Sequence, residues 1–142
     1  MVLSDLTKNN TNILHKNRDS LSRNVAVILS PADSPRKWIA LGKQYTNTGL
    51  NASGLAGAMN SGAFCPDHSN DKTKKTTTAQ LQEILTHCDT ALQAVEMLKK
   101  MVEAGDYCHG KSGSIFFFID TREGYICEFT PKVFTVQKYG QG

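Results

Sequence analysis

Thr77 to Gly105 reads TTAQLQEILTHCDTALQAVEMLKKMVEAG, and this stretch decides the fold class. It holds two helix starts. Thr77 with Gln80, and Thr90 with Gln93, have the spacing of a capping box. In that motif the hydroxyl accepts an amide N–H of the first turn and the longer side chain reaches back. The first pair predicts a helix over Ala79 to His87. After the second, Ala91, Ala94, Val95, Leu98, Met101 and Val102 recur at helical spacing and make one apolar stripe. Gly105 is the natural stop, because the residue after a helix often turns left-handed. A helix over Thr90 to Ala104, packed through Val95, Leu98 and Met101, is therefore expected. Its stripe needs a surface to cover, and the flanking sequence must supply one.

The flanks read as strands. Downstream, Ile115 to Asp120 (IFFFID) is a continuous apolar run of strand length. Thr121-Arg122-Glu123-Gly124 turns the chain, and Tyr125 to Thr130 (YICEFT) alternates as a partner strand. Glu128 on that strand is expected to be a buried, hydrogen-bonded carboxylate. Val133 to Val136 adds a possible third strand. Upstream, Ile13-Leu14-His15 is a short strand, and Asn24 to Leu29 (NVAVIL) reads as a buried one. Ser30 to Pro35 marks a turn, and Lys37 to Leu41 (KWIAL) a further strand. Leu50 to Gly62 (LNASGLAGAMNSG) is rich in Gly and Ala, which lets backbones approach closely; Leu55 to Asn60 is its strand. Strands, then two helices, then strands predict an α+β domain, with both helices on one face of a mostly antiparallel sheet.

Composition bounds the function classes. The chain has 142 residues, 39% apolar and 20% charged, as expected of one globular domain over 1–142. Its 16 basic and 13 acidic residues leave a net charge of +3, too little to argue for nucleic acid. Lys72, Lys74 and Lys75 lie among Asp, Asn and Thr without aromatics, as in a solvated loop. No apolar run is long enough for a membrane span, and Met1 to Asn12 shows no signal peptide. Cys65, Cys88, Cys108 and Cys127 form no CxxC pair, so no metal or cofactor is expected. Free thiols fit the cytoplasm. The four histidines are scattered and make no triad legible.

Two segments carry chemistry together: Ile13-Leu14-His15-Lys16-Asn17-Arg18-Asp19, and Gly49-Leu50-Asn51-Ala52-Ser53-Gly54-Leu55 continuing to Asn60. The first resembles the "(R/K)N-x-D" element, and the second the "G-x-N-x-x-G-L-x-x-x-x-N" element, of the choloylglycine hydrolase and penicillin acyltransferase group of N-terminal-nucleophile hydrolases. Leu81 to Thr130 is similar as well, with Thr90, Ala94 and Leu98 in the family's helix and a Glu before Thr-Pro. The resemblance runs from about Ile13 to Val136. It implies a four-layer αββα sandwich, incomplete here, and cleavage or transfer at a linear amide C–N bond of a small molecule. In the family an N-terminal Cys thiol attacks the carbonyl, with its own α-amino group as base. By motif position the resemblance makes Asp19 the partner of that amine. It puts Lys16 at the basic position near the thiol and Asn17 beside it as a structural residue. Asn60 becomes a donor to the oxyanion.

Each residue has a plainer reading. Asp19 before Ser20 could cap a turn, Lys16 and Arg18 could be surface charges, and Asn60 before Ser61-Gly62 suits a turn. The pattern also breaks. The nucleophile belongs at the start of the first strand, where Met1, Val2 and Leu3 stand. Ser4 is the nearest hydroxyl, but its peptide nitrogen is not basic. Cys65 follows Asn60 closely, but needs an activating cation or base to be reactive. Family members also continue past the Glu-bearing strand. The expectations are therefore an impaired amidase that is a fragment, a split-gene product or a reduced descendant, or a non-catalytic domain that binds a partner. In either case open strand edges favour a homo-oligomer, or a partner chain carrying the missing half.

Overall fold

The computed structural model describes residues 2–6, 11–15, 25–42, 46–64, 71–108 and 112–139. Strands β1 (Val2–Leu6) and β2 (Thr11–His15) form an antiparallel hairpin. Strands β3 (Ala26–Leu29), β4 (Trp38–Gly42), β5 (Thr46–Asn51) and β6 (Ala56–Phe64) follow. After β6 come helices α1 (Thr77–His87) and α2 (Ala91–Glu103), then β7 (Ser112–Ile119), β8 (Gly124–Phe129) and β9 (Phe134–Tyr139). Strands β3 to β9 form one seven-stranded sheet in chain order, every neighbour antiparallel. The α+β expectation holds, and both helices cover one face.

The helices form where the caps and stripe place them, with one shift. Thr90 Oγ1 accepts from Gln93 N–H (3.2 Å) while Gln93 Oε1 accepts from Thr90 N–H (3.3 Å), closing the second capping box. Ala94, Val95, Leu98, Met101 and Val102 are all buried, and Gly105 has φ +65. The first helix is capped by Thr76 rather than Thr77; Thr76 Oγ1 accepts from Ala79 N–H at 3.2 Å. Thr77 and Gln80 are buried, so the inner face takes them and the cap falls to the exposed Thr76.

Sheet parity sorts the other side chains. Phe116 and Phe118 of β7 are fully buried beneath the helices, with Tyr125, Cys127 and Phe129 beside them on β8. The Phe129 ring lies 5.8 Å from both Phe116 and Phe134. A Cβ on Gly49 would lie 2.6 Å from Leu85 Cδ1, and one on Gly57 2.8 Å from Leu81 Cδ1. These two glycines let α1 lie directly on the sheet.

The opposite face is largely open. Val27, Leu29, Ile39, Leu41 and Leu50 point there, and all are exposed. β2 lies against β6 on that side, where Leu14 shares a recess with Ile39, Leu41, Leu50 and Ala56. The hairpin is thus a short second β layer, and the described residues make an α layer, a sheet and part of a second sheet.

Two expectations need correction, and one strand has no counterpart in the sequence analysis. Asn24 to Leu29 was read as buried, yet Val27 and Leu29 are 62% and 68% exposed, since β3 is an edge strand with only Ile28 facing the core. Glu128 is exposed, because Cys127 and Phe129 on either side take the helix-facing positions. β5 (TNTGLN) carries no strand pattern of its own; pairing with β4 and β6 on both flanks imposes the extended form.

Candidate functional site

Asn60 sits on β6, one residue after the core residue Met59, so its side chain faces the open side of the sheet. It is half-buried, and its amide makes no hydrogen bond to any described residue. A turn residue was the plainer reading; Asn60 instead lies inside a strand, paired with Ile115. An uncommitted amide on an open face can donate to a developing negative charge.

Asn51, in the same motif, has a different part. It is 4% exposed and uses its whole side chain. Nδ2 donates to Leu85 O (3.0 Å) and Cys88 O (2.8 Å), the open carbonyls at the end of α1. Oδ1 accepts from Ser53 and Leu55 N–H, both at 3.1 Å. Gly54, at φ +85, closes the turn by donating to Asn51 O. One side chain thus joins the β5–β6 turn to the helix and pins the register of β6. A slip of one residue would swing Asn60 into the core. The sequence reading did not single out Asn51, because its helix partners lie 34 and 37 residues away.

A polar clasp reinforces this end. Arg36 Nη1 donates to Thr86 O (2.9 Å), Nε donates to Ser53 Oγ (3.1 Å), and the guanidinium pairs with Asp89. The Ser53 hydroxyl and then Arg36 hold the Asp89 carboxyl below its usual value. Asp120 fastens the other helix: Oδ2 accepts from Ala91 N–H (2.7 Å) and Oδ1 from Arg122 (2.7 Å) and Glu123 (3.1 Å). These groups are structural, each spent on backbone or on a neighbour.

Val2 pairs directly with His15, the residue before Lys16. The start of β1 therefore lies at the end of β2, next to the first motif. Lys16, Asn17, Asp19 and Cys65 lie outside the described residues. Burial pushes the Cys88 thiol up to about 11 and the Cys127 thiol up to about 12, so both are neutral thiols at neutral pH. Among the described residues no cluster of His, Cys, Asp or Glu could hold a metal ion, and no helix is long and apolar enough to cross a membrane.

No protein-family profile and no curated protein matches this chain by sequence. Solved structures do match by shape. Penicillin V acylase from Agrobacterium tumefaciens superposes with a TM-score of 0.55 at 17% identity, covering 74% of this chain and 33% of that one. A variant of conjugated bile acid hydrolase from Clostridium perfringens gives 0.59 at 15% identity, covering 83% of this chain and 44% of that one. A second variant of the same hydrolase gives 0.58 at 14%, with the same coverage. The chain thus has part of the fold of these hydrolases and spans a third to under half of their length.

Proposed function

We propose that this chain is built on the scaffold of a linear amide C–N hydrolase or acyltransferase of the choloylglycine hydrolase group, with its own chemistry impaired at the nucleophile. The observation that carries the reading is the hairpin register. It sets Val2, at the start of β1, against His15, the last residue of β2, and the family resemblance puts a nucleophile with a free amine at the start of that first strand. The likeness to two amide-cleaving folds supports it, as does the uncommitted amide of Asn60. In a competent chain, the thiol would attack the amide carbonyl and its amine would take the proton, with Asp19 orienting the amine. Asn60 would donate to the oxyanion, and the amine product would leave with the returned proton. Valine offers neither a thiol nor a hydroxyl. The free Cys88, Cys108 and Cys127 suit a reducing cytoplasm.

A Val2→Cys variant with Met1 removed tests this. It is expected to gain covalent labelling by electrophilic acyl probes, read by intact mass. Asp19→Asn and Asn60→Ala should each slow that labelling. The unmodified chain is expected to show little or no turnover of acyl amides, since loss of a nucleophile removes several powers of ten in rate. Turnover by the unmodified chain would sink the impaired-enzyme reading.

A second reading, a non-catalytic self-associating domain, is favoured by one observation. Val27, Leu29, Ile39, Leu41 and Leu50 form an exposed apolar face beside an edge strand that carries no charge. It predicts dimers or larger species at micromolar concentration in sedimentation velocity. Replacing Val27 and Leu29 together by lysine should return a monomer. A monomeric unmodified chain would count against it.

A further inference from the structure

One transverse row crosses the open face of the sheet. Asn60 on β6 pairs with Ile115 on β7, Ile115 with Glu128 on β8, and Glu128 with Thr135 on β9. Directly opposed residues share a face, so these four side chains stand side by side. Ile115, Glu128 and Thr135 also line an open recess of about 410 Å³. Gly62 and Gly113 leave bare backbone there, and Val133 adds apolar surface beside Ile115.

The polar groups of the recess are unequal. Thr135 Oγ1 donates to Glu128 O (3.2 Å). Thr130 Oγ1 accepts from Lys132 and Val133 N–H (3.3 and 3.2 Å). Among the described residues Glu128 is the only charged one of the lining, and its carboxylate makes no hydrogen bond or ion pair with any of them. A lone carboxylate above an apolar floor selects for a cation carried on an apolar stem.

We propose that this recess receives the non-reacting arm of the amide substrate, and that the arm is an apolar chain ending in an ammonium or guanidinium paired with Glu128. The proposal rests on the reading of Asn60 as the oxyanion donor, because the row fixes the recess relative to Asn60. Two strand spacings separate Asn60 from Glu128, about 10 Å. An extended arm of lysine or arginine length spans that gap. The substrate class is therefore an acyl amide of a basic amine or basic amino acid, or an amide whose acyl part carries the cation.

The test measures binding to the unmodified full chain by calorimetry at low salt. Three probes of similar length are used: benzoyl-agmatine (cationic), benzoyl-hexylamide (neutral) and benzoyl-aminopentanoate (anionic). The cationic probe is expected to bind about three- to fivefold more tightly than the neutral one, as for an exposed ion pair, and the anionic probe more weakly still. Glu128→Gln, an exposed and nearly isosteric change, should abolish the preference, and so should about 0.5 M salt. Equal affinities, a preference that survives Glu128→Gln, or no binding up to the millimolar range would each overturn the proposal. Asn60→Ala separates it from the reading beneath. That variant should keep the cation preference while slowing labelling of the Val2→Cys chain. Preference without any Asn60 effect on labelling leaves a cation recess but removes the amidase reading. Asn60-dependent labelling without preference does the reverse.

Discussion

Asn51→Ala is expected to lower the stability of the chain by about 3–5 kcal/mol. The side chain is buried and satisfies four backbone groups at once: the carbonyls of Leu85 and Cys88 and the N–H groups of Ser53 and Leu55. Alanine removes every one of these partners and cannot admit water to replace them all. Each buried group left unpaired costs about 1–3 kcal/mol, partly recovered as the turn relaxes. Asn51→Asp should do no better at neutral pH. It keeps an acceptor for Ser53 and Leu55 but turns a charged oxygen toward the two helix carbonyls. Urea unfolding followed by Trp38 fluorescence reads the effect directly. Trp38 is the single tryptophan, pairs in register with Asn51 across the sheet, and donates from Nε1 to Thr86 Oγ1 at 2.9 Å. A shift of the midpoint with the slope unchanged is the expected result. A loss below about 1 kcal/mol would mean that Asn51 does not join helix to turn.

Leu98→Asp is expected to cost more than about 4 kcal/mol, enough to leave the chain largely unfolded near body temperature. Leu98 is fully buried in the middle of α2, in the cluster with Val95, Met101 and Phe116. The substitution removes the apolar contact and places a carboxylate where no cation faces it. Leu98→Ala is the control, with a cavity cost of about 2–5 kcal/mol and no charge. Thermal melts should show the Asp variant well below the Ala variant, and about 10–15 °C or more below the parent. An Asp variant within a degree or two of the parent would overturn the packing of α2.

How far the sequence could be read depended on the range of the forces involved. The helices were legible because their signals are local. Thr90 and Gln93 are three residues apart, and the stripe from Ala91 to Val102 repeats within one element. The strands with strong patterns, Trp38–Gly42, Ser112–Ile119 and Gly124–Phe129, were legible for the same reason. The motifs singled out Asn60, but gave no account of Asn51, whose four bonds are made across the fold. They also gave Glu128 the wrong environment, since one strand cannot say which of its two faces a helix will cover.

By itself, then, the sequence determined the helix pair, the capping box at Thr90 and the α+β class. Only the tertiary structure decided that Thr46–Asn51 is a strand, that Ala26–Leu29 is an exposed edge, and that Asn60, Ile115, Glu128 and Thr135 share one row. The reason is that periodicity and capping act within a few residues. Register, edge position and the choice of buried face are settled by partners dozens of residues away, through the hydrogen bonds and close contacts that those partners supply.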